Sequence, residues 1–253
     1  MRLTIVIPVY RENSRLMESL QKVTEFVRTA RGVAVEVVFV DDGSPDNCAQ
    51  VIRSYIERYG LSQMRLLNYA KNQGKGYAVG VGVQAAGGDL ILMSDADLST
   101  PLTEWAALKA AIDSGADIAC GSRAVRGAHI GTPPPLCRRF LSRIFNRLVR
   151  IAGVHGIRDT QCGFKLFRAA PAKEIFARLR TRRFAFDVEV IALARDLGYR
   201  VDEVPVSWNY SGHTTVRLFS SGGQMLWDVF KLAIRRMICG SFKCEQVKRG
   251  ENK

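Results

Sequence analysis

The chain has 253 residues, 47% hydrophobic and 24% charged, which excludes a disordered or collagen-like protein. That length suits one substantial α/β domain with a sizeable core, whereas two complete domains would be crowded. The formal net charge is +13, and residues 123–200 carry most of it, with 17 basic and 5 acidic side chains. A nucleic acid, an anionic membrane surface and a phosphorylated substrate are all open as partners of that basic stretch.

Cysteine spacing and apolar runs restrict where the chain can work. None of the six cysteines forms a C-x-x-C pair, and none has zinc-like spacing with the three histidines, so we expect free thiols and a reducing compartment. The apolar stretch after Arg2 is short and runs into Pro8 and two charged residues, which is not the pattern of a signal peptide. Because no run approaches the roughly 18 apolar residues of a membrane span, any membrane contact is expected to be peripheral.

The first half of the chain alternates short apolar runs with helical patterns. Strands are predicted over residues 3–9, 33–40, 64–68 and 89–94, and helices over 14–28, 46–58, 76–86 and after Pro101, with Ser14 and Asp46 as caps. This alternation predicts an α/β fold with an open, mostly parallel sheet and helices on both faces. Ligands bind such sheets at the carboxyl ends of the strands.

Beyond Gly121 the regular alternation stops. A proline-rich loop precedes an arginine-rich helix, a strand near 164–167, two helices and a last strand near 201–207. We interpret these as elements added to one edge of the same sheet, covering the site, and not as a separate domain. The predicted organisation is one domain over residues 1–210, with halves 1–122 and 123–210, and then an amphipathic helix and a polar tail over 211–253.

Two carboxylates, Asp95 and Asp97, stand one residue apart at the end of an apolar run. In an extended chain, residues i and i+2 point to the same side, so both side chains could face one hard divalent cation that prefers oxygen ligands. Such a cation would clamp a diphosphate. The alternative is a solvated acidic turn.

Other strand ends carry features that suit a nucleotide. The first strand ends I-P-V-Y-R-E and the second V-D-D-G-S, which places backbone amides and the Asp41 carboxylate where a pyrimidine or a ribose could be held. A simple turn followed by a helix cap explains D-D-G-S equally well. The K-N-Q-G-K-G stretch from Lys71 brings two cations to a helix N-terminus, where a diphosphate could bind, although it has neither P-loop nor G-x-G-x-x-G spacing.

Taken together, these segments and several later ones resemble a known family. The later matches are Gly121-Ser122-Arg123, then Arg138 and Ser142, D-T-Q-C-G-F-K-L-F from Asp159, F-D-V-E from Phe186 and E-V-P-V from Glu203. In order over residues 1–210, the chain resembles the family 2 glycosyltransferases with the GT-A fold, within them the polyprenyl-phosphate glycosyltransferases, and most of all the dolichyl-phosphate glucosyltransferases. Dolichol-phosphate mannose synthases are the nearest relatives of that group.

The resemblance implies roles on the donor side, in the half formed by residues 1–122. Asp41 would contact the nucleotide base with Pro8, Tyr10 and Glu12 beside it, and Lys75 would help to bind the donor. Asp95 and Asp97 would organise Mg²⁺ or Mn²⁺ on the diphosphate of a UDP-sugar. The mannose synthases carry a glutamine where this chain has Ser99, which leaves the third protein ligand open, and the loop 211–217 lacks the lysine of close relatives.

On the acceptor side, the resemblance implies that Arg123, Arg138 and Ser142 bind the phosphate of a polyprenyl phosphate, with Arg123 also in the catalytic set. A phosphate whose second pKa is roughly 6 can attack the anomeric carbon without a dedicated base. An alcohol acceptor would require a base, for which the candidates are Asp159, Asp187 and Glu189, with Gln161 as a further substrate contact. The alternatives are an ion pair for Asp159 and a favourable helix-dipole position for Asp187 and Glu189.

Two stretches, 136–151 and 222–239, place apolar residues at helical spacing between arginines and lysines. Such basic amphipathic helices could lie in an anionic lipid interface, or they could pack their apolar faces on the sheet. If the helices lie in a lipid interface, the protein is expected to be peripheral at the cytoplasmic face of a membrane.

The sequence therefore predicts an inverting, metal-dependent transferase that moves a hexose, glucose from UDP-glucose, to a polyprenyl or dolichyl phosphate. Alternatives within the same fold are GDP-mannose as donor and a saccharide or lipid alcohol as acceptor. A nucleic-acid-binding role is disfavoured because an anionic acceptor already accounts for the basic stretch. Neither Mg²⁺ nor Mn²⁺ is preferred over the other.

Overall fold

In a computed structural model, the structure describes residues 1–131, 147, 149, 156–209 and 227–236. The strands are β1 (Arg2–Val9), β2 (Ala34–Asp41), β3 (Met64–Asn68), β4 (Leu90–Met93), β5 (Ile118–Ser122), β6 (His129–Ile130), β7 (Lys165–Arg168), β8 (Val201–Pro205) and β9 (Ser207–Trp208). The helices are α1 (Leu16–Thr29), α2 (Cys48–Arg58), α3 (Lys75–Ala85), α4 (Trp105–Asp113), α5 (Ala169–Arg178), α6 (Phe186–Asp196) and α7 (227–236), with a 3-10 turn at Leu102–Glu104.

The described strands form a seven-stranded sheet in the order β3-β2-β1-β4-β7-β5-β8. Strands β3, β2, β1 and β4 run parallel to one another, and β5 runs parallel to β8. Strand β7 is antiparallel to both of its neighbours, β4 and β5. The mostly parallel α/β sheet predicted from the sequence is confirmed. A separate two-stranded ladder pairs β6 with β9.

The strands of the second half, β7 and β8, lie on the β4 side of the sheet. The strand expected near 164–167 is β7, and it lies inside the sheet, between β4 and β5. Leu166 and Phe167 explain the position, because each is fully buried and the two belong to different core clusters. A strand with apolar side chains on both faces needs cover on both faces, which an interior place in the sheet provides.

Alternation along β1 divides the core into two layers. Val6 packs in the cluster that contains α3, α5 and α6, whereas Ile5 and Ile7 pack in the cluster of α1, α2 and α4. Successive side chains of a strand point to opposite faces, so the helices cover both faces of the sheet, as the sequence predicts. The site described below lies where β1, β2, β3, β4 and β5 have their carboxyl ends and where the antiparallel β7 begins.

Helix starts differ in detail from the predicted caps. Helix α1 begins after Arg15, and no side chain caps it; instead the amides of Arg15 and Leu16 donate to the carbonyl oxygen of Glu12, both at 3.0 Å. In the first turn of α2, Asp46 Oδ1 accepts the Cys48 amide at 3.3 Å. The predicted helix at 222–239 is helical over its described part, while the stretch 136–151 and the loop 211–217 lie outside the described residues, apart from 147 and 149.

Among the described helices, none combines the length and the apolar character needed to cross a bilayer.

Candidate active site

The two aspartates of the S-D-A-D-L-S segment lie in a turn at the carboxyl end of β4. The Leu98 amide donates to the carbonyl oxygen of Asp95 at 3.1 Å, and the Ser99 amide donates to Asp97 Oδ1 at 3.0 Å. Leu98 has a φ of 47°, an uncommon value for a branched residue. The reasoning from an extended chain is therefore wrong here, because a tight turn and not strand alternation orients the two carboxylates.

Lys75, the first residue of α3, meets Asp95 directly. Its Nζ lies 2.5 Å from Asp95 Oδ1. Burial opposes ionisation of Asp95, but the Lys75 ammonium, with weaker help from Lys165 and Arg123, holds the pKa of that carboxyl below its usual range. Burial likewise opposes the charge of Lys75, yet Asp95, Asp187 and Asp97 raise the pKa of Lys75. A cation already faces this carboxylate.

Gly163, just before β7, lies against the same aspartate. A Cβ atom built on Gly163 would lie 2.2 Å from Asp95 Oδ2, far inside van der Waals contact. Its φ is not positive, so the need for glycine arises from this close approach alone. The antiparallel pairing of β4 with β7 creates the contact, since the end of one strand meets the start of the other.

Arg123, which follows β5, forms a bidentate pair with Asp159. Its Nε and Nη2 lie 2.7 and 2.8 Å from the two carboxylate oxygens, and its backbone amide also donates to Oδ2 at 3.0 Å. Burial disfavours the charge on both groups, but the pair outweighs it, raising the pKa of Arg123 and lowering that of Asp159. The guanidinium carbon is 5.3 Å from the centre of the Trp208 ring, and in the described part of the chain no residue accepts a hydrogen bond from Nη1.

Asp95 and Arg123 line the same small cavity, together with Ser99, Gly163 and Trp208. The carboxylate centre at β4 and the guanidinium at β5 are thus neighbours across one cleft, although 28 positions separate them in the sequence. An anion held by Arg123 would face whatever binds at Asp95.

The ends of β1 and β2 form the adjoining part of the cleft. Asp41 is buried, its Oδ2 accepts the Ser44 amide at 3.3 Å, and its Oδ1 has no hydrogen-bond partner within the described ranges. An unpaired buried acceptor is costly and suits an N–H donor from a ligand. Pro8 lies in the β1–β2 ladder and Tyr10 directly follows it, while the carboxylate of Glu12 pairs with Arg15.

Asp42, which sequence reasoning did not single out, organises the neighbouring loop. Its carboxylate accepts hydrogen bonds from the Tyr69 hydroxyl at 2.7 Å, the Asn72 side chain at 2.8 Å, the Gln73 amide at 2.8 Å and the Gly74 amide at 2.9 Å. The second aspartate of the D-D pair therefore fixes the segment that leads into α3, while the first keeps one buried oxygen without a partner among the described residues. The doubled aspartate was visible in the sequence, which pointed to Asp41 but gave no role to Asp42.

Asp187 forms a buried pair with Lys165. The Lys165 Nζ is fully buried and donates to Asp187 Oδ1 at 2.5 Å, to the Cys162 carbonyl at 2.5 Å and to the Thr160 carbonyl at 3.1 Å. Burial is the main cause that raises the pKa of Asp187. A lysine inside the apolar run G-F-K-L-F is the sequence signal that points to such a buried pair.

Glu189 is also fully buried, and both of its oxygens are engaged. Oε2 accepts the backbone amides of Arg180 and Thr181, and Oε1 accepts Arg235 Nη1 at 3.0 Å. Glu189 and Asp187 therefore hold protein groups together. Asp159 forms an ion pair with Arg123, which is the alternative to a catalytic base that the sequence left open for it. Gln161 has its Nε2 buried without a partner in the described part of the chain.

Residues 4–176 match the model of the family described as glycosyl transferase family 2. The chain belongs to glycosyl transferase family 2.

Curated relatives of this family 2 transferase extend the match over nearly the whole chain. It is 38% identical over 241 residues to dolichyl-phosphate beta-glucosyltransferase ALG5C of Trichomonas vaginalis, covering 91% of this chain and 70% of the relative. It is 33% identical over 258 residues to the Homo sapiens dolichyl-phosphate beta-glucosyltransferase, covering 98% and 79%. Both alignments extend well beyond the family model.

Among solved structures, the transferase is similar to glucosyl-3-phosphoglycerate synthase from Mycobacterium tuberculosis in complex with Mn²⁺, uridine diphosphate and glucosyl-3-phosphoglycerate. The TM-score is 0.66 at 14% identity, over 93% of this chain and 79% of that one. An identity this low carries the fold only, and that fold is the GT-A type expected from the sequence.

The transferase brings most of the predicted site residues to one edge of its sheet. Asp95, Asp97, Lys75, Arg123 and Asp159 surround the cavity or touch a residue that does, and Pro8, Tyr10, Glu12 and Asp41 lie at the adjoining strand ends. Arg138 and Ser142 fall outside the described residues. Within the described ranges, no group of three or more histidine, cysteine or acidic side chains could hold a metal by itself.

Proposed function

We propose that this protein transfers glucose from UDP-glucose to dolichyl phosphate, with inversion, giving a β-linked lipid-phosphate sugar. One observation carries the proposal: the carboxylate of Asp95 and the guanidinium of Arg123 line one cavity. A site that joins two anions needs a separate cationic partner for each of them. Here these would be a metal ion held by Asp95 for the diphosphate and Arg123 for the acceptor phosphate. The curated relatives are named dolichyl-phosphate beta-glucosyltransferases, which supports glucose as the sugar and dolichyl phosphate as the acceptor.

On the donor side, Asp41 would accept an N–H group of the uracil base, because its Oδ1 is buried and unpartnered in the described part of the chain. Pro8, Tyr10 and Glu12 would line the same end of the site. Lys75 would bind the diphosphate, since its ammonium is already held at the aspartate turn. The M. tuberculosis protein of the same fold binds uridine diphosphate, which agrees with a uridine donor.

Asp95 and Asp97 would hold Mg²⁺ or Mn²⁺ together with the diphosphate. Two carboxylates fit such an ion when phosphate oxygens and water complete its ligands, as is usual for Mg²⁺. When bound, the cation supplies charge neutralisation on the diphosphate leaving group. Ser99 stands where the mannose synthases carry a glutamine, and its backbone amide orients Asp97.

On the acceptor side, Arg123 would bind the lipid phosphate, with Arg138 and Ser142 as further proposed contacts. The Asp159 carboxylate fixes the guanidinium through two hydrogen bonds, which leaves Nη1 to the ligand. The phosphate oxygen then attacks the anomeric carbon from the side opposite the diphosphate, so the linkage inverts. Because a phosphate dianion is already a competent nucleophile, no base is needed, and positioning supplies much of the catalysis.

We also propose that the protein is peripheral at the cytoplasmic face of a membrane. Helix α7 buries Val229 and Leu232 against the core, yet it leaves Trp227 and Phe230 55% and 51% exposed. These two rings stack at 5.6 Å, and Lys231 lies over the indole. Exposed aromatic rings beside a basic side chain suit the boundary of an anionic leaflet, such as the cytoplasmic one.

A donor and acceptor panel tests the proposed substrates. Purified protein is incubated with UDP-glucose or GDP-mannose, each with dolichyl phosphate or with dolichol, and lipid products are extracted and counted. We expect product only with UDP-glucose and dolichyl phosphate. Product formed with GDP-mannose but not with UDP-glucose would show that GDP-mannose is the donor. Product formed with dolichol would contradict a phosphate nucleophile.

A further inference from the structure

Helix α7 is joined to the interior of the protein through Glu189. Arg235 of this helix donates to Glu189 Oε1 at 3.0 Å, and the Arg235 side chain is about three-quarters buried while that of Glu189 is fully buried. The second oxygen of Glu189 accepts the amide of Thr181 at 2.6 Å and that of Arg180 at 3.2 Å. One carboxylate thus connects a C-terminal helix with the backbone at 180–181, which precedes α6.

The segment at 181–182 in turn packs against the first turn of α3. The Tyr77 amide donates to the Arg182 carbonyl at 3.1 Å. A Cβ atom on Gly74 would lie 2.5 Å from the Arg182 carbonyl oxygen, and one on Gly76 would lie 2.7 Å from that of Thr181. Because the two backbones touch on both sides of Lys75, displacement of this segment must displace the start of α3.

We infer that Glu189 and Arg235 are positioning residues for the donor site: they fix the start of α3, and through it Lys75, from the C-terminal helix. The inference rests on the proposed function in one respect, namely that Lys75 binds the donor diphosphate. Lys75 ends at Asp95, with 2.5 Å between its Nζ and Oδ1. A chain of direct contacts therefore runs from α7 to the aspartate turn.

The charge on Arg235 is what keeps this connection in place. A fully buried carboxylate without a cation is strongly disfavoured, so without Arg235 the Glu189 carboxylate is expected to rearrange toward water. That rearrangement weakens Glu189 as the acceptor of two backbone amides, since these bonds depend on a charged acceptor held in place. The segment at 180–182 then loses its fixed position against Gly74 and Gly76.

Arg236 provides a matched control on the same helix. Its Nη2 donates to Asp196 Oδ1 at 2.9 Å, and Asp196 is nearly buried at the far end of α6. Arg236→Ala therefore also removes a guanidinium from a buried carboxylate of α6, but at a place remote from residues 180–182.

The experiment measures the dissociation constant of UDP with Mn²⁺ by titration calorimetry, and thermal melting, for the full chain and its variants. We expect Arg235→Ala to weaken UDP binding at least about fivefold, a coupling of ordinary size, and Arg236→Ala to leave it within about twofold. In a Lys75→Ala background, Arg235→Ala should change the UDP affinity very little further, because Lys75 is the residue through which Arg235 acts on the donor site. Arg235→Lys should restore most of the affinity.

Three results would overturn the inference: equal affinity of wild type and Arg235→Ala, equal losses for the two arginine variants, or an undiminished loss in the Lys75→Ala background. If either alanine variant does not fold, Arg235→Gln and Arg236→Gln enter the same comparison. Failure of the proposed function is separate, because it would appear as wild-type protein that does not bind UDP.

Discussion

Gly163 is the residue whose size limits the aspartate turn most directly. A methyl group there would collide with Asp95 Oδ2, which a Cβ would approach to 2.2 Å, so Gly163→Ala must displace either the carboxylate or the start of β7. We expect the variant to fold and its UDP affinity in the presence of metal to fall at least about tenfold. A displacement of about 1 Å in a binding site is enough to cause a loss of that size.

Gly80→Ala is the control for Gly163→Ala. It introduces the same methyl group in α3, where the nearest atom of Phe176 is 3.7 Å away, an ordinary contact. Alanine also raises helix stability by about 0.5–1 kcal/mol. UDP titrations and melts of both variants give the comparison; normal UDP affinity in Gly163→Ala would refute the close approach.

The Arg123–Asp159 pair makes a pH-dependent contribution to stability. Burial opposes ionisation of Asp159, but Arg123 outweighs it and lowers the pKa of that carboxyl. A lowered folded-state pKa gives stability that is complete above the unfolded value, about 3.9, and is lost as pH falls through the folded value. Asp159→Asn should therefore be less stable than wild type by about 3 kcal/mol at neutral pH.

Urea unfolding of wild type and Asp159→Asn across a pH series measures that difference. The gap in the free energy of unfolding should be constant from neutral pH down to about 5 and should narrow below about 4. A gap that stays constant to the lowest pH at which both proteins fold would show that Asp159 does not titrate as the pair requires.

At the scale of elements, Lys165 joins β7, α6 and the 160–162 segment through one ammonium group. It bonds the Asp187 carboxylate and two backbone carbonyls, and its side chain has no exposed surface. Lys165→Met removes the cation that is hydrogen-bonded to the buried Asp187 carboxylate. We expect a loss of about 3–5 kcal/mol in the free energy of unfolding.

Lys109→Met is the matched control for Lys165→Met, because the Lys109–Asp113 pair is an exposed i, i+4 pair on α4. Such pairs contribute at most about 0.5 kcal/mol. Urea unfolding compares the two variants, and similar small losses in both would contradict the buried pair.

Elements whose patterns are local were predictable from the sequence. The prediction for β3 agrees with the structure at both ends. The alternation of β1 to β4 with helices predicts the parallel half of the sheet, because each strand carries its own apolar run between turn residues. The interior place of β7 was not predictable in this way. Its four residues pair with β4, which lies about 75 positions earlier in the chain, and such pairing is decided by tertiary contacts.

For the site, the sequence supplied residue types and strand ends but not partners. Asp95 and Asp97 could be placed at the carboxyl end of a strand by topology alone, whereas no strand was predicted before Arg123, which follows β5. Their orientation depends on contacts across the fold, such as Gly163 against Asp95 and Asp159 on Arg123, 36 positions away. Glu189 shows the same limit, since a carboxylate early in a helix gives no sign of a partner at Arg235.

At the scale of the whole molecule, α7 offers two exposed aromatic rings on the side opposite its buried residues. The double variant Trp227→Ser, Phe230→Ser should bind anionic lipid vesicles at least about tenfold more weakly, because each ring buries a large apolar area at an interface. Vesicle co-sedimentation at fixed lipid concentration measures this. Tyr59→Ser, which removes another exposed ring at the end of α2, should bind as wild type, and equal losses in the two proteins would contradict an interface at α7.

The central claim is that Asp97 and Asp95 support glucose transfer to a lipid phosphate held at Arg123. Its most direct test uses purified protein with radiolabelled UDP-glucose and dolichyl phosphate in vesicles, comparing wild type, Asp97→Asn and wild type treated with a chelator and then with Mn²⁺. We expect an acid-labile labelled lipid from wild type, at least about a hundredfold less from Asp97→Asn or after chelation, and recovery on adding Mn²⁺. Undiminished product from Asp97→Asn, or no labelled lipid from wild type, would contradict the account.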